Sequence, residues 1–168
     1  MNIILKRATE KDAVDIFTMQ VTSFYPLLEK YQDYETSPAN EPIQRTMTRI
    51  KYPNGGFYKI IVDGQFVGAI CIYYKEKTNQ FWISPMFIHP EFQGKGIAQK
   101  VLLLIEEMFP EAISWELATI LEEERNCFSY EKIGYKRTEV IKKLNDKATL
   151  IYYKKKGKAL EIRFTFLC

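Results

Sequence analysis

The most regular pattern in the chain is an apolar run followed by a helical repeat. Residues 81–88 are apolar or aromatic at every position except Ser84 and Pro85, which predicts a buried strand. From about Gly96 to Phe109, apolar residues recur every three or four positions, as on one face of a helix. Pro110 follows, and proline ends a helix because it has no backbone N–H group. A buried strand leading into an amphipathic helix is therefore the central prediction.

Further short strands and helices are predicted on both sides of this unit. The predicted strands are residues 2–6, 57–62, 65–74, 81–88, 112–119, 135–142 and 149–154. The predicted helices are residues 13–24, 43–51, 96–109 and 126–133. Asp63-Gly64 is a typical two-residue hairpin turn, so the strands on either side of it are predicted to be antiparallel neighbours.

One segment departs from this regular pattern. Residues 25–42 contain three prolines, together with tyrosines that alternate with acidic residues. Proline interrupts a helix because it removes a hydrogen-bond donor. The segment is therefore predicted to be a loop or a broken helix with an aromatic, acidic surface.

The turn between the central strand and helix carries the main candidate for chemistry. Residues 93–98 read QGKGIA, and the two glycines allow the backbone to approach a ligand closely. Free N–H groups at the start of the following helix favour an anion, so the turn is a candidate cradle for a phosphate or pyrophosphate. Three interpretations are open at this point: a purely structural turn, a dinucleotide site and a coenzyme A site.

A dinucleotide site of the Rossmann type agrees with part of the spacing. Gly94 and Gly96 begin the GxGxxG fingerprint, but the third glycine of that fingerprint would fall at Gln99. Glu116 lies about where an acid that binds the ribose would be expected. The strands before the turn are predicted to form hairpins rather than βαβ units, which argues against this interpretation.

Composition and charge narrow the class of protein. A chain of 168 residues suffices for one domain with a buried core, and a hydrophobic fraction of 46% is ordinary for a globular protein. The net charge of +3 is too small to indicate a nucleic-acid-binding protein. No apolar run approaches membrane length, and the amino-terminal sequence does not resemble a signal peptide. We therefore expect neither a nucleic acid nor a membrane as a partner.

The cysteines and the histidine bear on the compartment and on metal binding. Cys71, Cys127 and Cys168 have neither disulfide-framework spacing nor metal-site spacing, which favours a reduced protein in the cytoplasm. His89 is the only histidine, so a histidine-rich metal site is excluded. We expect no metal in the site.

Two motifs resemble those of a known family. The pattern QxxGxA at residues 93–98, preceded by IHPE at residues 88–91, resembles the acyl-CoA signature of the GNAT family of N-acetyltransferases. The sequence RNCFSYEKIGY at residues 125–135 resembles the second motif of that family. The resemblance covers roughly residues 3–154, and the predicted order of elements, β-α-α-β-β-β-α-β-α-β-β, matches the mixed α/β sheet of the family.

The resemblance implies a particular fold. It implies one domain over residues 1–156, with a mixed, mostly antiparallel central sheet that is flanked by helices and splayed between its fourth and fifth strands. In the family, the pantetheine arm of the coenzyme enters at that splay. Pro85 supports this interpretation, because proline cannot donate to a sheet ladder and would break pairing in a central strand. An edge strand that tolerates a proline is the alternative.

The resemblance also implies which residues bind acetyl-CoA. They include backbone amides at the end of the fourth strand, the glycine cradle and two residues of the second motif. The expected set is Met86, Phe87, Ile88, Gln93, Gly94, Lys95, Gly96, Ile97, Ala98, Gln99, Asn126 and Tyr130. The alternative role of Asn126 is a helix cap.

The catalytic residues are less completely implied. Tyr130 matches the family tyrosine that serves the leaving thiolate, and its alternative is a half-buried core aromatic. Some family members carry a glutamate early in the fourth strand, but Trp82 occupies that place here. Glu116 on the next strand is the candidate general base, with a surface residue or a water chain as alternatives. Cys127 has no histidine partner in the sequence, so we interpret it as a small apolar helix residue rather than a nucleophile.

The resemblance implies an N-acetyltransferase that moves the acetyl group of acetyl-CoA to a primary amine by direct attack in a ternary complex. The alternatives are a non-catalytic acyl-CoA-binding or sensing module on the same fold and a nicotinamide dehydrogenase. The acceptor is expected to be a small-molecule or peptide amine. The acidic, tyrosine-rich residues 25–35 would suit a cationic acceptor through charge and cation–π contacts.

The carboxyl-terminal residues 157–168 lie beyond the family core. Leu160, Ile162, Phe164 and Phe166 alternate with polar residues, which predicts a half-buried strand. We expect this strand to extend a sheet edge, either of its own subunit or of a partner subunit in a homodimer.

Overall fold

A seven-stranded sheet runs through the computed structural model, which describes residues 1–160. Its strands are β1 Ile3–Arg7, β2 Gly55–Val62, β3 Gln65–Lys75, β4 Gln80–Ile88, β5 Ser114–Ile120, β6 Lys136–Lys143 and β7 Thr149–Lys156. They lie in the order β1-β2-β3-β4-β5-β7-β6, and all neighbours are antiparallel except β4 and β5. The predicted mixed, mostly antiparallel sheet is confirmed, and a Rossmann dinucleotide fold is excluded because that fold needs a largely parallel sheet.

Four helices cover the two faces of the sheet. They are α1 Ala13–Tyr31, α2 Ile43–Ile50, α3 Ile97–Met108 and α4 Glu124–Lys132. On one face, Ile16 of α1 and Ile50 of α2 pack in one apolar cluster with Phe57 and Phe87 of the sheet. On the other face, the buried side of α3 and Cys127 of α4 pack in a second cluster against β4, β5 and β7. The sheet is therefore buried from both sides, and each helix contributes its apolar face.

The first helix is longer than the sequence predicts. The predicted end near Phe24 is wrong, because α1 continues through Pro26 to Tyr31. Pro26 removes one N–H donor, but the following turn buries Leu28 and Tyr31, and this burial offsets the loss. The predicted bounds of the other helices and strands differ from the observed bounds by at most two residues.

The fourth and fifth strands separate after a short paired region. Only Gln80–Trp82 pair with Ser114–Glu116, and beyond that point β4 stays with β3 while β5 stays with β7. We call the space between the separated strands the gap. The predicted splay is therefore confirmed.

A bulge in β4 begins where the gap begins. Ile83 pairs with Ile72 and Met86 pairs with Ile70, so Ser84 and Pro85 together lie opposite a single residue of β3. The extra residue reverses the alternation of side chains, and Met86 faces the α3 side of the sheet, as Ile83 does. The proline thus lies where the ladder is already interrupted.

The last two turns of α1 cross the gap. Phe24 lies edge-on to Phe87 of β4, with ring centroids 5.9 Å apart. Seven residues further on, the hydroxyl of Tyr31 donates to Glu123, which follows β5, at 2.6 Å. Seven helical residues advance about 10 Å. The continuation of α1 past Pro26 therefore forms a wall over one side of the gap.

Two further findings concern the predicted carboxyl-terminal strand and the possibility of a membrane-spanning helix. Leu160 is the one member of the predicted tail strand within the described residues, and its N–H donates to the carbonyl of Gly157 in a helical turn. The other members of that strand lie outside the described residues. Within residues 1–160, no helix is both long and apolar enough to cross a membrane.

Replacing Gly68 with alanine should destabilise the fold at the edge of the gap. A Cβ at Gly68 of β3 would lie 2.2 Å from the carbonyl oxygen of Phe87, so β4 would have to move. We expect a loss of about 3 kcal/mol in the free energy of unfolding, measured by urea denaturation. Gly64→Ala is the control, because a Cβ at Gly64 meets no atom within 4 Å and should cost about 1 kcal/mol through its positive φ alone. Equal losses for the two variants would contradict the close approach.

Candidate active site

The end of β4 presents backbone donors to the gap. The N–H of His89 donates to Val67 of β3 at 2.8 Å, and N–H groups along a paired strand point alternately to either side. By this alternation the N–H of Phe87 points to β3, whereas those of Met86 and Ile88 point into the gap. β4 lies between β3 and β5, so the alternative of an edge strand that tolerates a proline is wrong. Two backbone donors are therefore available to a ligand in the gap.

The glycine cradle lies immediately after these donors. Gly94 and Gly96 both have left-handed backbone conformations, with φ of 76° and 75°, and α3 begins at Ile97. A Cβ at Gly96 would meet no atom within 4 Å, so the surface at the start of α3 is open. The free N–H groups of the first helical turn lie at this surface, which suits an anion such as a diphosphate.

Gln93 attaches the cradle to β4. Its side-chain amide donates to the carbonyl of Ile88 at 2.8 Å. This bond satisfies a carbonyl that would otherwise accept from an N–H group of β5 in a continuous sheet. Gln93 therefore holds the cradle in place beside the gap.

The other predicted cradle residues differ in exposure. Lys95 is exposed, and its ammonium lies 5.2 Å from the centroid of the Phe92 ring. Ile97 is buried in the core, so only its backbone can reach a ligand. Ala98 and Gln99 are half-buried in the first turn of α3. The predicted cradle residues therefore differ in what they can offer a ligand. Lys95 has an exposed side chain, whereas Ile97 can offer only its backbone.

Arg125 is a site residue that the sequence interpretation missed. Its guanidinium would lie 3.7 Å from a Cβ at Gly94, which places a cation at the rim of the cradle. Arg125 is exposed and forms no hydrogen bond or ion pair within residues 1–160. No local spacing in the sequence relates it to Gly94; only the packing of α4 beside the α3 terminus does so.

Asn126 and Tyr130 lie on successive turns of α4. Asn126 is exposed in the first turn and follows the cap residue Glu123, so the helix-cap alternative for Asn126 is wrong. The Tyr130 ring packs against Tyr135 and Tyr153, with centroids 6.2 and 6.1 Å away. Burial raises the pKa of Tyr130 to about 12, so its phenol is protonated at neutral pH. Its hydroxyl has no hydrogen-bond partner in the described part of the chain.

Glu116 lies at the point where the strands separate. It pairs with Trp82 in the last β4–β5 pair, and its carboxylate is 3.8 Å from the ammonium of Lys154. Its neighbours Trp115 and Leu117 pack against α3, so Glu116 faces the α1 side of the sheet. The side chain is 21% exposed, which makes it a half-buried carboxylate at the border of the gap.

The two predicted catalytic residues therefore lie on opposite faces of the sheet. Tyr130 packs with the α3 cluster, whereas Glu116 faces the α1 side. A reactive group held in the gap would lie between a proton acceptor on one side and a hydroxyl donor on the other. Such an arrangement suits a transfer between two molecules that approach from opposite sides.

Glu123, the cap residue of α4, bounds the site where it contacts the end of α1. Burial acts to raise the pKa of Glu123, but hydrogen bonds from Lys30 and Tyr31 outweigh it and hold the pKa below its ordinary value. The carboxylate therefore stays charged and keeps α1 attached to the start of α4. Cys127, by contrast, is buried with its Sγ 3.8 Å from two backbone carbonyls, in agreement with its interpretation as an apolar helix residue.

Three solved structures of acetyltransferases have the same fold as this chain. The ribosomal-protein-S18-alanine N-acetyltransferase from Escherichia coli has a TM-score of 0.74 and 7% identity over 93% of this chain and 94% of that chain. The ribosomal L7/L12 alpha-N-protein acetyltransferase RimL, in complex with coenzyme A, has a TM-score of 0.74 and 13% identity over 95% and 96%. The microcin C7 self-immunity acetyltransferase MccE, in complex with acetyl-CoA and AMP, has a TM-score of 0.69 and 13% identity over 92% of each chain.

Sequence comparison identifies the family. No curated protein sequence matches the chain. The model of the acetyltransferase (GNAT) family matches residues 19–135, which include the gap, the cradle and both motifs. The chain belongs to the acetyltransferase (GNAT) family.

Proposed function

We propose that the protein transfers the acetyl group of acetyl-CoA to a primary amine by direct attack in a ternary complex. The observation that carries this proposal is the gap itself, where two free backbone donors lie beside an open glycine cradle. Both features are matched to coenzyme A, which has an extended amide-bearing arm and a diphosphate. Membership of the family supports acetyl transfer, and the residues of this chain support the route.

The coenzyme would be held at two points. The amides of Met86 and Ile88 would bind the pantetheine arm as a neighbouring strand does. The α3 terminus would bind the diphosphate, with Arg125 supplying a cation at the rim. Asn126, which is exposed on α4 near this rim, would contact the arm from the other side.

Bond changes in the transfer are simple. The amine nitrogen attacks the thioester carbon, a C–N bond forms, and the C–S bond breaks to release a thiolate. The amine loses one proton, which Glu116 would accept from the α1 side. A gap-facing N–H of β4 would donate to the oxyanion that forms during attack.

Tyr130 would stabilise the thiolate rather than fully protonate it. Its pKa of about 12 keeps it protonated, but an ordinary thiol has a pKa of about 8.5. Full transfer of the phenolic proton would therefore be unfavourable by roughly 5 kcal/mol. Hydrogen-bond donation to the nascent thiolate has no such cost, and a bond to a charged group is worth about 1.5–3 kcal/mol.

The acceptor would be a small-molecule or peptide amine. Within the segment expected to attract a cation, Tyr31 is engaged by Glu123 and Asp33 binds Thr36, whereas Tyr25 and Tyr34 remain exposed. The exposed tyrosines support part of that expectation. The proposed compartment is the cytoplasm, which the scattered cysteines support.

Gly96→Ala should weaken binding of acetyl-CoA by at least about tenfold, or roughly 1.4 kcal/mol. The added methyl group meets no protein atom, but it enters the space where the diphosphate would lie. Calorimetric titration of acetyl-CoA measures this change. Gly64→Ala is a matched control, because Gly64 also has a positive φ, of 83°, and open space around it.

The two glycine variants should lose similar stability and differ only in coenzyme binding. Equal affinity for acetyl-CoA in Gly96→Ala and wild type would place the diphosphate elsewhere.

Tyr130→Phe should lower kcat by roughly 10–100-fold and leave the KM for acetyl-CoA nearly unchanged, because only a hydrogen bond to the leaving thiolate is lost. Thiol release with a panel of primary amines provides the assay. Since the pKa of Tyr130 is about 12, its contribution should not titrate between pH 7 and about 10. Tyr58→Phe is the control, because it removes a hydroxyl from a half-buried ring on β2.

Two outcomes would count against this account. An unchanged kcat in Tyr130→Phe would make Tyr130 a core aromatic only. Binding of acetyl-CoA by the wild type without thiol release on any amine would support the alternative of a non-catalytic acyl-CoA-binding module.

A further inference from the structure

A row of charged side chains extends from the gap across the α1 side of the sheet. The strand register places Trp82, Glu116, Lys154 and Lys136 side by side on β4, β5, β7 and β6. Paired residues on neighbouring strands project to the same face. The candidate base Glu116 is therefore followed by two lysines that lead away from the gap.

A second row lies two residues below the first. It contains Gln80, Ser114 and Lys156, again on β4, β5 and β7. Two residues along a strand correspond to about 7 Å. Lys154 and Lys156 are consecutive members of one face of β7, so the lysines of the two rows form one basic patch.

A cleft of about 620 Å³ lies at this patch, and we call it the lysine cleft. Its charged lining residues are all cationic: Lys136, Arg137, Lys154, Lys155 and Lys156. No carboxylate lines it within residues 1–160. Like charges on neighbouring strands and rows of a sheet repel one another unless an anion lies between them.

Some of these cations are neutralised by neighbours outside the cleft. Arg137 pairs with Glu131 at 2.9 Å, and Lys155 pairs with Glu106 at 2.9 Å. Lys154 is shared with Glu116, whereas Lys136 has no ion pair with any described residue. Lys136 is thus the cation of the cleft that is most available to an external anion.

Ser114 supplies an independent indication of a ligand. Ser114 is one of the residues that line the lysine cleft, and it is only 5% exposed. Its hydroxyl has no hydrogen-bond partner among the described residues. A buried hydroxyl without a partner costs free energy, so a polar group of a ligand or a bound water is expected to satisfy it.

We propose that the lysine cleft binds an anionic group of the acceptor, so that the acceptor bears both a primary amine and a carboxylate or phosphate. This inference rests on the proposed acetyl transfer. The amine would lie beside Glu116 at the mouth of the gap. The anionic group would lie among Lys154 and Lys136, which follow Glu116 in the first row, and Ser114, which lies in the second row about 7 Å along the strands.

This arrangement selects against polyamines. The cationic end of the acceptor is matched by Glu116, but a second cation would meet Lys136 and Lys154. The lysine cleft therefore replaces the expectation of a purely cationic acceptor with that of a zwitterionic or acidic amine. Charge of one sign in a cleft also raises the local concentration of oppositely charged ligands.

Matched peptide amines test this specificity. The substrates are short peptides with a free amino terminus and an amidated carboxyl terminus that carry aspartate, asparagine, phosphoserine or serine at the second position. For the wild type, we expect kcat/KM for the better acidic peptide to exceed that for its neutral counterpart by about tenfold, mainly through KM. The aspartate and phosphoserine peptides distinguish a carboxylate from a phosphate.

Lys136→Gln should reduce this preference to about threefold or less and leave kcat for neutral peptides unchanged. Lys132→Gln is the matched control, because Lys132 is an exposed lysine on α4, which packs on the other face of the sheet. Ser114→Ala should also weaken binding of the acidic peptide without lowering the melting temperature, because it removes a buried hydroxyl that has no partner.

Each contrary outcome has a distinct meaning. Equal kcat/KM for acidic and neutral peptides in the wild type, or a preference for spermidine over both, would overturn the inference while acetyl transfer stands. An undiminished preference in Lys136→Gln would overturn the assignment to this cleft. Absence of thiol release with every amine would overturn the proposed function and this inference together.

Discussion

The structure depends on the loss of pairing between β4 and β5 after three residue pairs. A sheet that opens in its middle leaves backbone groups on both edges without their usual partners, and buried backbone groups need partners. On β4, one of these backbone groups has a partner, because the side-chain amide of Gln93 donates to the carbonyl of Ile88. The N–H groups of Met86 and Ile88 remain for a ligand. In this account, binding a coenzyme in the gap completes the sheet.

The surrounding elements can be understood as consequences of this opening. The bulge at Ser84-Pro85 interrupts the ladder where the strands begin to separate. Helix α1 crosses the gap from Phe87 to Glu123 and forms its wall on one side. The cradle, Tyr130 and Arg125 lie on the α3 and α4 side, whereas Glu116 and the lysines of its row, Lys154 and Lys136, lie on the α1 side. The opening thus separates a proposed coenzyme side from a proposed acceptor side.

The elements that the sequence predicts well are those with local signals. A run of apolar residues, paired glycines and the proline after α3 determine the central strand, turn and helix within a few residues. The predicted end of α1 near Phe24 was wrong because the hydrogen bond lost at Pro26 is outweighed by the burial of Leu28 and Tyr31. That burial is visible only in the tertiary structure. Arg125 and the row from Trp82 to Lys136 were not predictable for a related reason. They are brought together by helix packing and by strand register, and neither leaves a fixed spacing in the sequence.

The most direct test of the central claim is amide hydrogen exchange at single-residue resolution, with and without acetyl-CoA. The amides of Met86 and Ile88 face the gap and should exchange faster than that of Phe87 in the free protein. Saturating acetyl-CoA should slow exchange at Met86 and Ile88 and leave Phe87 nearly unchanged, because Phe87 already donates to β3. Unchanged exchange at Met86 and Ile88, with protection elsewhere, would contradict the claim that the coenzyme completes the sheet in the gap.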